Sequence, residues 1–163
     1  MRRPYTAKEY RERLALLDAE VPGIRLGADV IAGFPGETPG DFSETMRLIL
    51  DTPLSYLHAF PYSARTGTES AGWTDDVTPA EKKRRVARLR SADVAMRKEY
   101  LGMQVGKTLI VAPTARDPET GQGRGTTENY AEAVFRAADG GRGDLIPVRI
   151  DAVRGDHLEG TAV

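Results

Sequence analysis

The residues best suited to hold a ligand are Gly33-Phe34-Pro35-Gly36-Glu37-Thr38. Ahead of them, Leu26 to Ile31 reads as a buried strand; behind them, Phe42, Met46, Ile49 and Leu50 fall at helical spacing. A strand, a tight glycine turn and a fresh helix N-terminus put backbone N–H groups at the carboxyl end of a strand. Ligands sit at that place in α/β proteins. The stretch lacks the Lys-Ser/Thr ending of a phosphate P-loop, and its glycines miss the dinucleotide-binding spacing. On the residues alone, ligand contact and a simple capped connection stand about equal.

A second candidate lies at the end of the next strand, in Tyr62-Ser63-Ala64-Arg65. A Tyr face stacks on a base and an Arg holds an anionic group, although ordinary loop chemistry explains these residues as well. His58, inside an apolar strand, is expected to be a hydrogen-bonded core residue rather than a catalyst. A third candidate is cationic: Lys82, Lys83, Arg84, Arg85 and Arg88 crowd one helix, with Arg90, Arg97 and Lys98 further along. Such a run is most often a solvated face, yet clustered Lys and Arg are what RNA phosphates require.

Several chemistries are excluded. With 23 basic against 24 acidic residues the net charge is -1, so any nucleic-acid surface must arise from local segregation of charge. There is no cysteine, which excludes disulfides, a cysteine nucleophile and an iron–sulfur cluster held by these residues. His58 and His157 form no spaced ligand set for zinc. No apolar run approaches a membrane span, and Met1-Arg2-Arg3 leads into no signal core, so a cytoplasmic location is expected.

The elements that must position these residues change in character along the chain. Thr6-Ala7-Lys8-Glu9 is a capping box that opens a helix with Tyr10, Leu14, Leu17 and Val21 on one face. The strand through Val30, the glycine turn, a helix from Thr38-Pro39-Gly40-Asp41 to about Leu50 and a strand over Leu54 to Tyr62 follow. That order predicts a βαβ unit with parallel strands, too small to stand alone and expected to expose a strand edge. After a Ser/Thr/Gly-rich loop, Thr78-Pro79-Ala80-Glu81 opens the long basic helix. From Lys107 the pattern is all-β: a strand at Leu109 to Ala112, a turn or loop over Asp117 to Gly125, and an alternating strand to Phe135. A hairpin-type turn at Asp139-Gly140-Gly141 and strands over Leu145 to Val153 and His157 to Val163 complete it. Short strands between glycine turns predict a small barrel of the oligonucleotide-binding kind.

Three ordered stretches carry a resemblance. They are Met1 to Thr6 with Glu9-Tyr10, then Asp29 to Thr38 with Asp41-Phe42, then Leu57-His58-Ala59-Phe60-Pro61-Tyr62-Ser63-Ala64-Arg65-Thr66-Gly67-Thr68. Together they closely resemble the radical S-adenosylmethionine tRNA methylthiotransferases. Gly125-Thr126-Thr127-Glu128-Asn129-Tyr130 resembles the Gly-Thr-x-x-Asn-Tyr stretch of that family's C-terminal TRAM domain. The Leu57 to Ser63 stretch is most similar to the branch acting on N6-threonylcarbamoyladenosine next to the anticodon. The isopentenyladenosine and ribosomal-protein branches are the alternatives, as is a stand-alone RNA-binding module.

The resemblance implies a fold: the last part of a partial TIM-type barrel over residues 1–77, a connecting helix over 78–104 and a TRAM barrel over 105–163. It implies S-adenosylmethionine and two [4Fe–4S] clusters, one for radical cleavage and one for sulfur insertion at C2 of adenine. No cluster ligands exist here, so the chain is expected to be a C-terminal portion, inactive without the N-terminal half. The usual proline before the glycine of Thr66-Gly67-Thr68 is also absent. By the same resemblance, Gly33, Phe34, Pro35, Gly36, Glu37, Thr38, Phe60, Tyr62, Ser63 and Arg65 line the cofactor side. Lys82, Lys83, Arg84, Arg85, Arg88, Arg124, Asn129 and Tyr130 hold the tRNA anticodon stem-loop.

Overall fold

The computed structural model describes residues 4–136 and 144–163. The chain divides into two compact units, Met1–Met96 and Arg97–Val163, each with its own apolar core. The first contains helix α1 (Ala7–Glu20), strand β1 (Leu26–Ala32), helix α2 (Pro39–Leu50), strand β2 (Leu54–Pro61) and a 3-10 turn (Glu69–Gly72). It also contains most of helix α3 (Pro79–Gly102).

Helix starts follow from local chemistry. The Thr6 hydroxyl accepts from the Glu9 N–H at 3.2 Å, and the Glu9 carboxylate takes the Thr6 N–H at 2.6 Å. Thr38 and Asp41 repeat the pattern at 3.1 and 2.8 Å. At α3 the box is only half formed. Thr78 accepts the Glu81 N–H at 3.2 Å, but the Glu81 carboxylate turns to Arg84 and Arg85.

Strands β1 and β2 pair in parallel, with Ala28 opposite Leu57 and Ala32 opposite Pro61. Leu14, Leu26, Ala32, Phe42, Ile49, Leu54, Leu57, Val86 and Leu89 form the core on one side of this ribbon. The expectation of a buried strand over Leu26 to Ile31 holds for one face only. Burial alternates along β1, leaving Gly27, Asp29 and Ile31 exposed, because the helices cover one face alone. His58 lies on the exposed face and is not a core residue; its ring meets Tyr56 edge-on at 5.4 Å. The α1 face is also partly open, with Leu14 buried and Leu17 and Val21 exposed.

The second unit is a closed barrel of strands β3 (Thr108–Arg116), β4 (Gln122–Thr127), β5 (Glu132–Arg136), β6 (Ile146–Arg154) and β7 (His157–Ala162). Their order around the barrel is β3-β4-β5-β7-β6, with β5 and β7 parallel. Leu109, Val111, Ala133, Phe135, Val148, Ile150 and Leu158 fill it.

Two expectations change here. Asp117 to Gly125 is not all loop: the turn ends at Gly121 and β4 starts at Gln122. The glycines that read as a loop point inward. A Cβ at Gly123 would lie 2.6 Å from the Phe135 ring, and one at Gly125 would lie 2.4 Å from the Ala112 carbonyl oxygen. They are gaps that admit Phe135 and a close strand approach. The turn expected at Asp139-Gly140-Gly141 falls outside the described residues. The strands flanking it do not pair as a hairpin, since β5 lies beside β4 and β7.

Candidate functional site

The Gly33–Thr38 turn is held in place by carboxylates. Gly33 takes φ +76° and Gly36 φ +82°, a region that costs a side chain about 1–2 kcal/mol. The Gly33 N–H donates to Glu37 Oε2 at 2.6 Å, the Gly36 N–H to Asp76 Oδ1 at 2.8 Å, and the Thr38 N–H to Asp41 Oδ2 at 2.8 Å. The Glu37 N–H closes the turn on the Phe34 carbonyl at 2.9 Å. The donors expected to face an anionic ligand are therefore engaged by this unit's own acids.

Helix α3 supplies the counter-charges. Arg85, whose side chain is 4% exposed, pairs with Glu37, reaches the Glu37 carbonyl at 3.0 Å and pairs with Glu81 at 2.7 Å. Lys82 pairs with Asp75 at 2.5 Å, and its ammonium stands 5.1 Å over the Tyr62 ring. Burial pulls the Arg85 guanidinium toward deprotonation, but hydrogen bonds to Glu81 and Glu37 outweigh it, and its pKa is raised. Arg84 and then Arg85 hold the Glu81 carboxyl below its usual range, and the Thr38 hydroxyl does the same for Asp41. Beneath the turn, Phe34 meets Tyr62 at 5.1 Å and Trp73 at 5.7 Å, both edge-on. A shallow cavity of about 390 Å³ lies between the N-termini of α2 and α3, lined by Gly36, Thr38, Asp76, Thr78, Glu81 and Arg85 among others.

Of the other residues expected on the cofactor side, Tyr62 is buried and donates its hydroxyl to the Ser70 carbonyl at 3.0 Å. Pro35 is half-buried. Phe60, Ser63 and Arg65 are exposed at the end of β2 and beyond it. The iron–sulfur clusters implied by the resemblance find no ligands. The chain has no cysteine, and among the described residues no three His, Asp or Glu side chains gather as a metal-holding group.

The cationic set divides on burial. Lys82 and Arg85 are buried ion-pair members, which corrects the expectation that they face RNA. Lys83, Arg84 and Arg88 are exposed; Arg84 pairs with Glu81 at 2.7 Å, and Arg88 stands 5.1 Å over the Phe42 ring.

In the barrel, Arg124 is exposed and pairs with Glu132 at 3.0 Å. Tyr130 is 80% exposed and adopts φ +61°. That is a strained conformation for an aromatic residue, costing about 1–3 kcal/mol. Asn129, beside it, is half-buried and bonds to Gln104 and Thr127.

Reasoning from the sequence missed Asp75, Asp76, Trp73 and Gln104. The acidic pair just ahead of the Thr78 cap was a usable signal for a cationic or N–H partner. Gln104 gave none, since glutamine at a helix end is ordinary.

No protein-family model matches the chain. Known proteins do match it almost end to end. The threonylcarbamoyladenosine tRNA methylthiotransferase MtaB of Bacillus subtilis is 38% identical over 153 residues, covering 92% of this chain and 34% of that protein. The tRNA-2-methylthio-N(6)-dimethylallyladenosine synthase of Pseudomonas fluorescens is 37% identical over 168 residues, covering 100% of this chain and 37% of that protein. The synthase of the same name from Shewanella sediminis is 39% identical over 167 residues, covering 100% and 35%. The chain thus spans about a third of the length of these relatives. By sequence it is similar over nearly its whole length to one part of the tRNA methylthiotransferases.

Proposed function

We propose that this chain is the RNA-holding portion of a radical S-adenosylmethionine tRNA methylthiotransferase. The observation that carries the reading is the match to tRNA methylthiotransferases over 92–100% of the chain. In this reading residues 1–77 complete a partial TIM-type barrel, 78–104 connect, and 105–163 are a TRAM barrel. The cluster cysteines come from another segment, and the chain alone performs no sulfur insertion. The substrate is a modified adenosine beside the anticodon. The Leu57 to Ser63 resemblance favours N6-threonylcarbamoyladenosine, although relatives of the dimethylallyladenosine type are as similar.

The residues carrying the function separate by role. Phe60, Ser63 and Arg65 are exposed where β2 ends and are the side chains offered to a cofactor or substrate. Gly33 to Thr38, with Tyr62, act as the wall behind them. Lys83, Arg84 and Arg88 on α3, and Arg124 and Tyr130 on the barrel, meet RNA. The complete absence of cysteine favours a second reading, a non-catalytic RNA-binding module with the same RNA contacts.

Gel-shift titration of the full chain with a synthetic tRNA anticodon stem-loop, over a range of salt, tests the shared claim. Replacing two phosphate-facing cations (Lys83→Glu with Arg88→Glu) should weaken binding at least tenfold and lower the salt slope by about 2. Unchanged affinity in that variant removes α3 from the interface. Addition of a cysteine-bearing segment that restores methylthiolation separates the enzyme portion from the module.

A further inference from the structure

Gln104 is 1% exposed, an unusual place for a primary amide with two donors and an acceptor. Its partners define a directed chain of hydrogen bonds. The Tyr100 carbonyl can only accept, so the amide nitrogen of Gln104 must face it, at 3.0 Å. The Gln104 oxygen is then left to accept from Asn129 Nδ2 at 3.3 Å. That orients Asn129 so that its own oxygen accepts from the Thr127 hydroxyl at 2.6 Å. The Thr127 oxygen in turn accepts the buried Ala131 N–H at 2.8 Å. Backbone bonds close the corner: Tyr130 N–H to the Thr127 carbonyl, Thr127 N–H to the Ala131 carbonyl and Glu128 N–H to the Ile110 carbonyl, each 2.8 Å.

Each residue of this corner is engaged through main chain or side chain, while the ring of Tyr130 is turned outward. Tyr130 takes φ +61° and is 80% exposed. A non-glycine residue keeps such a backbone only where its surroundings over-determine it. The Gln104–Asn129–Thr127 chain does this, and its effect is to present an aromatic ring to solvent at a fixed place on the barrel. Exposed rings held on a rigid barrel are stacking platforms for unpaired bases.

We propose that Gln104 is a positioning residue for RNA contact: its buried amide ties the Thr127–Ala131 corner to the end of α3 and holds Tyr130 outward to stack on a base. The proposal rests on the RNA reading above and adds to it a residue that touches no RNA.

The test is a double-mutant cycle on the full chain, read as dissociation constants for the synthetic stem-loop. Tyr130→Ala should weaken binding about tenfold, the usual cost of one base–aromatic stack. Gln104→Met, similar in volume and unable to hydrogen-bond, should weaken it several-fold. In the Tyr130→Ala background, Gln104→Met should cost nothing further. A merely structural role predicts instead that the same loss recurs there. Asn129→Ala breaks the chain one link further out and should reproduce the result if Gln104→Met does not fold.

Equal losses in both backgrounds, or wild-type affinity in Gln104→Met, overturn the proposal while leaving the RNA reading standing. A wild-type chain that does not bind the stem-loop overturns both.

Discussion

Arg85→Met tests whether the glycine turn is held by charge. The substitution keeps much of the side-chain volume and removes the guanidinium. Glu37, 12% exposed, then keeps the Gly33 N–H and loses its cation. Glu81, 24% exposed, still has Arg84 at 2.7 Å. Removing one partner of a buried ion pair costs about 3–5 kcal/mol. Because Glu81 keeps a partner and some water, the lower end of that range applies, about 3 kcal/mol.

Trp73 is the sole tryptophan and packs edge-on against Phe34 of the turn, so its emission in urea reports the first unit. With a slope near 1.5 kcal/mol/M, the midpoint should fall by about 2 M. Adding Glu37→Gln to Arg85→Met should restore part of the loss, since no orphaned carboxylate then remains. A midpoint shift below about 0.5 M, or a double variant less stable than Arg85→Met alone, would refute the reasoning.

Three further outcomes follow from the same geometry. Gly36→Ala meets open space and should cost only the backbone penalty of its φ of +82°, about 1 kcal/mol. Gly33→Ala adds a Cβ 2.4 Å from Lys82 Cγ, and the same Trp73-monitored melts should show a clearly larger loss. Asp41 titrates below its ordinary 3.8 because of the Thr38 hydroxyl, so its contribution is present above that value and is lost as pH falls through the lowered folded value. Asp41→Asn should therefore flatten the acid dependence of the urea midpoint below about pH 4. An unchanged slope would place the acid sensitivity elsewhere.

Much of the first unit was legible locally. Thr6 and Thr38 cap because their partners lie three residues on, and the 3.6 and 2.0 periodicities mark α2 and the two strands. The alternation of Ala131, Ala133 and Phe135 was equally readable, and all three are buried. What misled was chemistry whose partner lies far along the chain. Gly123 and Gly125 look like loop residues until Phe135 and Ala112 are beside them. His58 looks like core until one face of the ribbon is seen to be bare.

By itself the sequence determined the kinds of element, their order, the lack of cysteine in these residues and the similarity to tRNA methylthiotransferases. These depend on residue type and short spacing, which need no three-dimensional partner. Only the tertiary structure decided the roles of the charges. Lys82 and Arg85 flank the exposed Lys83 and Arg84 on the same basic helix, yet they face Asp75 and Glu37 instead of solvent. Burial and ion pairing depend on which face of α3 packs, and a run of like residues does not encode that face. For the same reason Gln104 was invisible: its meaning lies in Asn129, 25 residues away, and in the ring of Tyr130 that their bond holds outward.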